Sequence, residues 1–488
     1  MTETMLSLTQ APAGWSYRSA FARVGLGLLV SLVLFLGLLN WSSIVSVQID
    51  RLDGRTAKNI GEDYVVFYTS GRFILEGRGS ELYDVNAVAA YEHDLMGRAV
   101  GGSGVLPYLN PPFVALLFAP FALLPLGLFS GVMFTLEVAM VVAGGQMLVR
   151  LVKPASGGLH FLLWLFYLTS FSTLWLVLEQ QLSMLLFFGW FGFASFQTRG
   201  KEGWSGATLA LTLIKPHVAI LPAAVLLWNR RWRALRSFSL MAAALVLVSI
   251  AIAGPGVLRD YPRFLLESGR REGVNTSTMF GWNGLLATLT GDATPSMALL
   301  GPLTLATMAV AFFTWRGDAA GRPKQAHLTV GLALTASLLI SPHLHMQDLV
   351  LLNLALAYGV AHSIAALGRV GVWGALAVLV WFTELYGLRL QDSFGLPVVT
   401  PVIVVVLAIF VAVLRRAREE GTTATCLRGD LYVAGRGRKG PGDDEARRIA
   451  LAGHAQRARD HERDVLHQPQ ALPGEGGAAA RGRSHIQT

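Results

Sequence analysis

"ARVGLGLLVSLVLFLGLLNW", residues 22–41, holds no charge after Arg23 and no proline. About 20 apolar residues are the length that crosses a bilayer as a helix. Arg18 and Arg23 lie at its N-terminal side, the run is long for a signal-peptide core, and no small-residue cleavage site follows it. It therefore reads as a signal-anchor helix with a cytoplasmic N-terminus. Eleven further apolar runs follow, at 109–126, 127–149, 159–178, 182–198, 204–228, 236–254, 296–315, 326–342, 346–366, 370–388 and 397–414, which brings the expected spans to twelve. Composition agrees: 53% of the 488 residues are hydrophobic and only 15% charged, against about 25% charged in soluble domains. The fold class is an all-α polytopic membrane protein of the inner (plasma) membrane.

The net charge of +9 calls for no nucleic-acid partner, because the excess flanks apolar runs or lies in the last stretch of the chain. "NRRWRALR" (229–236), "WRGDAAGRPK" (315–324) and "RRAR" (415–418) read as cytoplasmic. Arg150/Lys153 and Arg199/Lys201 disagree with a simple twelve-span count. Splitting 204–228 at Lys215-Pro216 and leaving 109–126 outside the count, where Pro111, Pro112, Pro120 and Pro125 interrupt it, is the alternative. Both counts put residues 42–108 outside the cytoplasm, with further outer loops at 255–295 and 341–348. The organisation is then a cytoplasmic N-terminus (1–21), a membrane domain (22–415) and a basic, disordered cytoplasmic tail (416–488). The single cysteine, Cys426, excludes an intramolecular disulfide framework.

The first outer loop carries "GEDYVVFYTSGRFILEGRGSELYD" (61–84). Val65, Val66, Phe67, Phe73, Ile74 and Leu75 recur at roughly helical spacing, and Gly77 and Gly79 then stop the helix. It reads as an amphipathic helix lying in the outer interface, followed by a second over 84–98 with Asp84 as N-cap. Asp63 is either an N-cap or a carboxylate held at the outer end of the first span, able to accept a proton.

In order and spacing, "DYVVFYTSGRFILEGRGSELYD", "YLNPPFVALLFAPFALLP", "GATLALTLIKPHVAILPAAVLLWNRRWRA" and "SPHLHMQDLVLL" resemble glycosyltransferase family 87 over roughly residues 20–415. The resemblance implies a GT-C superfamily helical bundle. Its members transfer sugar, mannose by default, from a polyprenyl-phosphate donor to an envelope glycolipid or polysaccharide outside the cytoplasm. It implies a catalytic acid at Asp63, in the setting that continues through Tyr64, Phe67, Tyr68 and Gly71. The family's paired prolines match Pro111-Pro112, its Lys-Pro matches Lys215-Pro216, and its Ser-Pro segment matches Ser341-Pro342. The family carries histidine where this chain has Gln347 or Asp348, so His343, His345 and Asp348 all stand as candidates for that role.

The chemistry follows independently of the family. Inverting transfer from a lipid-phosphate sugar needs one base for the acceptor hydroxyl and donors or cations for the phosphate. Asp63 suits the first; Lys215, Arg72, His343 and His345 suit the second. Lys215 interrupts an uncharged run, where a lysine usually faces a ligand or partner, although a lysine snorkelling to the interface gives the same pattern. Tyr68 joins the expected substrate contacts. Gln181, in the Glu179-Gln180-Gln181 stretch, reads as a sugar-binding edge or a turn, and Asn283 in "FGWNG" as a sugar contact or a turn residue. Asn275-Thr276-Ser277 matches a glycosylation sequon. No metal site or cofactor is called for; a metal at His343, His345 and Asp348 is the weaker alternative. The rival class is a transporter or flippase of lipid-linked saccharide without transfer chemistry; a structural envelope subunit is the third reading.

Overall fold

The structure, a computed structural model, describes residues 17–54, 62–101, 104–268, 279–291, 295–315 and 325–434. The chain divides into two units, Met1–Ala417 and Arg418–Thr488. In the second, only the helical stretch 418–434 is described. The rest of the expected tail, the sequon at 275–277 and the loop 316–324 lie outside the described residues.

The described residues are helical, with one isolated antiparallel bridge between Phe280 and Leu344. The helices in order are α1 (Tyr17–Leu52), α2 (Asp63–Leu75), α3 (Val85–Met96), α4 (Pro112–Phe118), α5 (Leu126–Val152), α6 (Gly157–Thr169), α7 (Phe171–Glu179), α8 (Ser183–Thr198) and α9 (Glu202–Leu209). They continue with α10 (His217–Trp228), α11 (Trp232–Ala253), α12 (Val257–Ser268), α13 (Gly281–Thr290), α14 (Met297–Trp315), α15 (Ala326–Leu339), α16 (Val350–Leu367), α17 (Val372–Phe394) and α18 (Val399–Ala434).

Seven of these are long and apolar enough to cross a membrane, or eight if the bent pair α6–α7 forms one span. Of the twelve expected spans, 109–126, 182–198, 204–228 and 326–342 contain only shorter helices. Prolines shorten the first: α4 starts at Pro111-Pro112 and the chain turns again at Pro120 and Pro125. The third breaks into α9, a 3-10 turn at Ala210–Ile214 and α10, with Lys215 in extended backbone. Hydropathy sees these runs as continuous because the breaks contain few polar residues.

The first span is longer than expected. Val24–Leu52 runs 29 residues, roughly 43 Å at 1.5 Å per residue, against about 30 Å of hydrocarbon. Its last turns carry two buried polar residues, Gln48 and Arg51. α15 and α16 form the centre, buried on nearly all sides, whereas α1 and α11 expose most of their apolar residues, as lipid-facing helices do.

α2 forms where expected, but it is not an interface helix with one wet face. Tyr64 through Gly71 and Phe73 are all buried. The helix lies among α3, α4 and α5. Gly71 has no side chain to keep α4 away; a Cβ there would meet the Phe118 backbone at 3.0 Å. Phe67 stacks on Phe118 with ring centroids 4.6 Å apart. Ser70 returns its hydroxyl hydrogen bond to the Phe67 carbonyl at 2.9 Å, so its polar group needs no water. α3 begins as expected: Asp84 accepts from the backbone N–H groups of Asn86 and Ala87, and Gly97 ends the helix in the left-handed region.

α6 and α7 meet at Ser170 with a 46° bend. A break inside a bilayer leaves backbone groups that only protein can satisfy. The Ser172 N–H donates to the Glu384 carboxylate on α17 at 3.1 Å. Asn353 on α16 donates to the hydroxyls of Ser170 and Ser172 at 3.0 and 3.1 Å. Glu384→Leu should strip the Ser172 N–H of its acceptor and cost about 1–3 kcal/mol, read as a lowered unfolding temperature in detergent, while Glu384→Gln keeps an acceptor and stays near wild type. In a Cys426→Ser background, an impermeant thiol reagent on intact spheroplasts should label Ala90→Cys on α3 and not Arg233→Cys on α11; the reverse pattern would overturn the orientation read from the positive residues.

Candidate active site

Asp63 is the first residue of α2, but it does not cap the helix: Glu62 is the capping residue and makes no side-chain capping bond. The Asp63 Oδ2 instead accepts a hydrogen bond from Gln181 Nε2, from the turn between α7 and α8. Its backbone N–H donates to the Glu179 carboxylate. Oδ1 has no hydrogen-bond partner among the described residues. Burial pushes the Asp63 carboxyl above its ordinary value, opposed by the Gln181 hydrogen bond and by the charges of Lys215 and Arg51. The other outer acids nearby have fixed tasks. Glu62 pairs with Arg98 and accepts from the Gly101 N–H at 2.9 Å, tying the 98–101 loop to the start of α2. Asp84 caps α3.

Lys215 sits at the break between α9 and α10. Its Nζ donates to both carboxylate oxygens of Asp348, at 2.6 and 2.8 Å. The pair is largely buried, with side chains 16% and 4% exposed. Asp348 also accepts from the Ser183 hydroxyl at 2.6 Å and from the His345 N–H at 3.4 Å. Lys215 is therefore held by a partner rather than extended toward an interface. His343 and His345 lie on the turn beside this pair. Burial, with the Lys215 charge, lowers the pKa of both, to about 4 for His345. Both rings are neutral near pH 7 and offer hydrogen bonds rather than charge.

Three expected contacts lie elsewhere. Arg72 is nine residues further along α2, roughly 13 Å away along the axis. It bonds Glu76 at 2.9 Å and the Tyr91 hydroxyl at 3.2 Å. Tyr68 packs edge-on against Phe129 and donates to the Leu124 carbonyl at 3.2 Å. Asn283 follows the turn reading: its amide donates to the Pro342 carbonyl at 3.0 Å. Beside it, the Phe280–Leu344 bridge fixes the loop that carries His343 to Asp348. Among the described residues, no group of three or more His, Cys, Asp or Glu is placed to hold a metal ion.

Sequence reasoning missed several residues that the structure brings here. Arg51, near the end of α1, lies over the Tyr64 ring at 4.6 Å and donates to the Leu178 carbonyl at 3.0 Å. In the sequence it stands in a mixed charged stretch, Asp50-Arg51-Leu52-Asp53, that gave no distinct signal. His217 lies within electrostatic reach of Lys215, Asp348 and His343; its position directly after Lys215-Pro216 was the available hint. Ser183 carried no signal. An apolar groove of about 280 Å³ runs between α1 and α7, lined by Ile44, Val47, Leu174, Trp175 and Leu178. Leu178 is also the residue whose carbonyl Arg51 holds.

With this geometry in place, comparison with known proteins adds one finding. Residues 108–342 match the model of glycosyltransferase family 87, which supports the family expected from the sequence. The match includes Pro111-Pro112, Lys215-Pro216 and Ser341-Pro342, and begins after Asp63. The family indicates a membrane glycosyltransferase, acting on a sugar donor and an acceptor. No curated protein and no solved structure matches the chain.

Removing either partner of the Lys215–Asp348 pair leaves a buried charge alone. Lys215→Met and Asp348→Leu should each destabilise the protein by about 3–5 kcal/mol. The double variant should lose less than the two together. Equal and additive small losses in detergent unfolding would mean that the pair is solvated.

Proposed function

We propose that this membrane glycosyltransferase moves a hexose, mannose in the first instance, from a polyprenyl-phosphate donor to a hydroxyl of an envelope glycolipid or polysaccharide at the extracytoplasmic face, with inversion. Asp63 is the general base. The observation that carries this reading is a half-buried carboxylate with one oxygen held and the other open, within electrostatic reach of Lys215.

In the reaction, Asp63 takes the proton from the acceptor hydroxyl as its oxygen bonds to the sugar's anomeric carbon. The bond from that carbon to the phosphate oxygen breaks on the opposite face, and polyprenyl phosphate departs with the electron pair. A raised pKa makes Asp63 a stronger base than an ordinary aspartate. An ammonium has three donors. Asp348 engages Lys215 with both oxygens and fixes its direction, and a remaining N–H serves the leaving phosphate. His343 and His345 add neutral donors, and Arg51 adds charge from the outer end of α1. The groove beside α1 and α7 takes part of the donor's alkyl chain. Transport without chemistry is the poorer reading, because it gives no use for a held carboxylate in an outer loop segment and the family match indicates a transferase.

Asparagine copies the shape of aspartate but takes no proton at neutral pH. Asp63→Asn should leave expression and thermal stability near wild type while sugar transfer in membranes falls roughly a hundredfold or more. Asp63→Glu should keep a small part of the activity, its carboxylate displaced by a methylene. Because the carboxyl is raised, the acidic limb of the wild-type rate should lie above the ordinary aspartate range of about 4, with activity rising as pH rises through it. Full activity in Asp63→Asn would remove the base role.

A further inference from the structure

The Asp63 side chain makes no bond to its own helix, and Asp348 makes only a long one to its own turn, from the His345 N–H at 3.4 Å. Asp63 is gripped from the turn after α7 twice, by Gln181 on Oδ2 and by the Glu179 carboxylate on its backbone N–H. Asp348 is gripped from the same turn by Ser183 at 2.6 Å. Between them Gln180 takes a left-handed backbone, φ 56° and ψ 48°, a conformation that a non-glycine residue keeps only where its surroundings over-determine it. Those surroundings are specific. The Gln180 side chain is fully buried, and its amide donates to Gln48 Oε1 at 3.0 Å and to the Ser130 carbonyl and hydroxyl, both at 2.9 Å. Gln48 and Ser130 belong to α1 and α5, and Ser130 donates to Gln48 in turn at 3.2 Å.

We propose that residues 179–183 are a positioning device: Gln180 anchors the turn to two long helices, Gln181 holds Asp63 so that Oδ1 faces the acceptor hydroxyl, and Ser183 holds Asp348 and through it Lys215. The inference rests on Asp63 being the base, and it makes Gln181 a positioning residue rather than a sugar contact. One short turn then sets the separation between the atom that takes the proton and the cation that receives the leaving phosphate. A hydrogen bond donated to a carboxylate favours its ionised form. Gln181 therefore also sets the pH at which Asp63 becomes competent.

The test compares pH profiles of sugar transfer from a polyprenyl-phosphate donor, in membranes carrying the full chain, for wild type, Gln181→Leu and Asp63→Asn. Gln181→Leu should move the acidic limb of kcat upward by about one pH unit or more, the scale of a hydrogen bond to a charged group. It should lower kcat about tenfold below that limb while donor and acceptor KM stay within about twofold. If leucine impairs folding, Gln181→Asn, too short to reach Asp63, carries the same test. A KM increase with an unmoved limb would return Gln181 to substrate binding and overturn the proposal. An inactive Asp63→Asn beside an unmoved Gln181→Leu would overturn the positioning role alone. An active Asp63→Asn would overturn the base reading, and this inference with it.

Discussion

Lys215 and Asp348 bond at 2.6 and 2.8 Å as a largely buried ion pair among apolar helices. In a bilayer an ammonium without a partner is costly, so each element that carries one of these two residues must deliver it to the other. Lys215 comes from the break between α9 and α10, Asp348 from the turn entering α16, and Ser183 from the first residue of α8. The pair thereby fixes three helix ends at one point. α7 packs against the same 3-10 turn that holds Asp348, which brings Gln181 to Asp63. Had Lys215 only snorkelled to an interface, nothing would tie these ends together.

The helix breaks carry the polar chemistry. Ser170, Gln180 to Leu182, Lys215-Pro216 and Ser341 to His345 each interrupt an otherwise apolar path. Irregular backbone at membrane depth survives only where protein supplies its hydrogen bonds. Here Glu384 and Asn283 bond backbone groups of the first and fourth breaks, while Gln48 with Ser130 and Asp348 hold the side chains of Gln180 and Lys215 at the second and third. A residue that satisfies a break is already a polar side chain held in place, and a substrate's oxygen atoms can be bound next to it without a second set of supports.

That logic explains what the sequence did and did not disclose. Long apolar runs and the Asp84 cap are local, and they read directly. The Lys215-Pro216 break was visible because a proline and a charge coincide there. The break at Gln180 fell between two expected spans, whereas the one at Ser170 contains no glycine or proline, so hydropathy passed over it. The burial of α2 was illegible for a different reason. Its exposed-looking Thr69 and Ser70 sit in the interior, with Ser70 bonding its own helix backbone, and Gly71 looks like a breaker until α4 is seen lying on it. Asp63 was recognised as an acid in the right setting, but its partners are 118 residues away at Gln181 and on three other elements. Pairings at that separation leave no periodic trace.

The placement of α2 also sets the surroundings of the carboxylate proposed as the base, Asp63. An aspartate on a wet interface helix would be ordinary: ionised, solvated and weak as a base. Inside the bundle, burial raises its pKa while Lys215 and Arg51 act in the other direction. If Lys215 stood alone, its charge would pull Asp63 further down and make it a poorer proton acceptor. Bonded to Asp348, much of that charge is neutralised before it reaches Asp63, so desolvation remains the larger influence. The same ion pair that anchors the helix ends therefore leaves burial as the larger influence on Asp63, as its proposed role as base requires. In the proposed transfer, the same Lys215 ammonium keeps donor capacity for the leaving phosphate, since an ammonium has three N–H groups. Under the proposed transfer, a free lysine would bind the donor's phosphate more tightly at the start and leave Asp63 a weaker proton acceptor, so a paired cation suits that reaction better than a bare one.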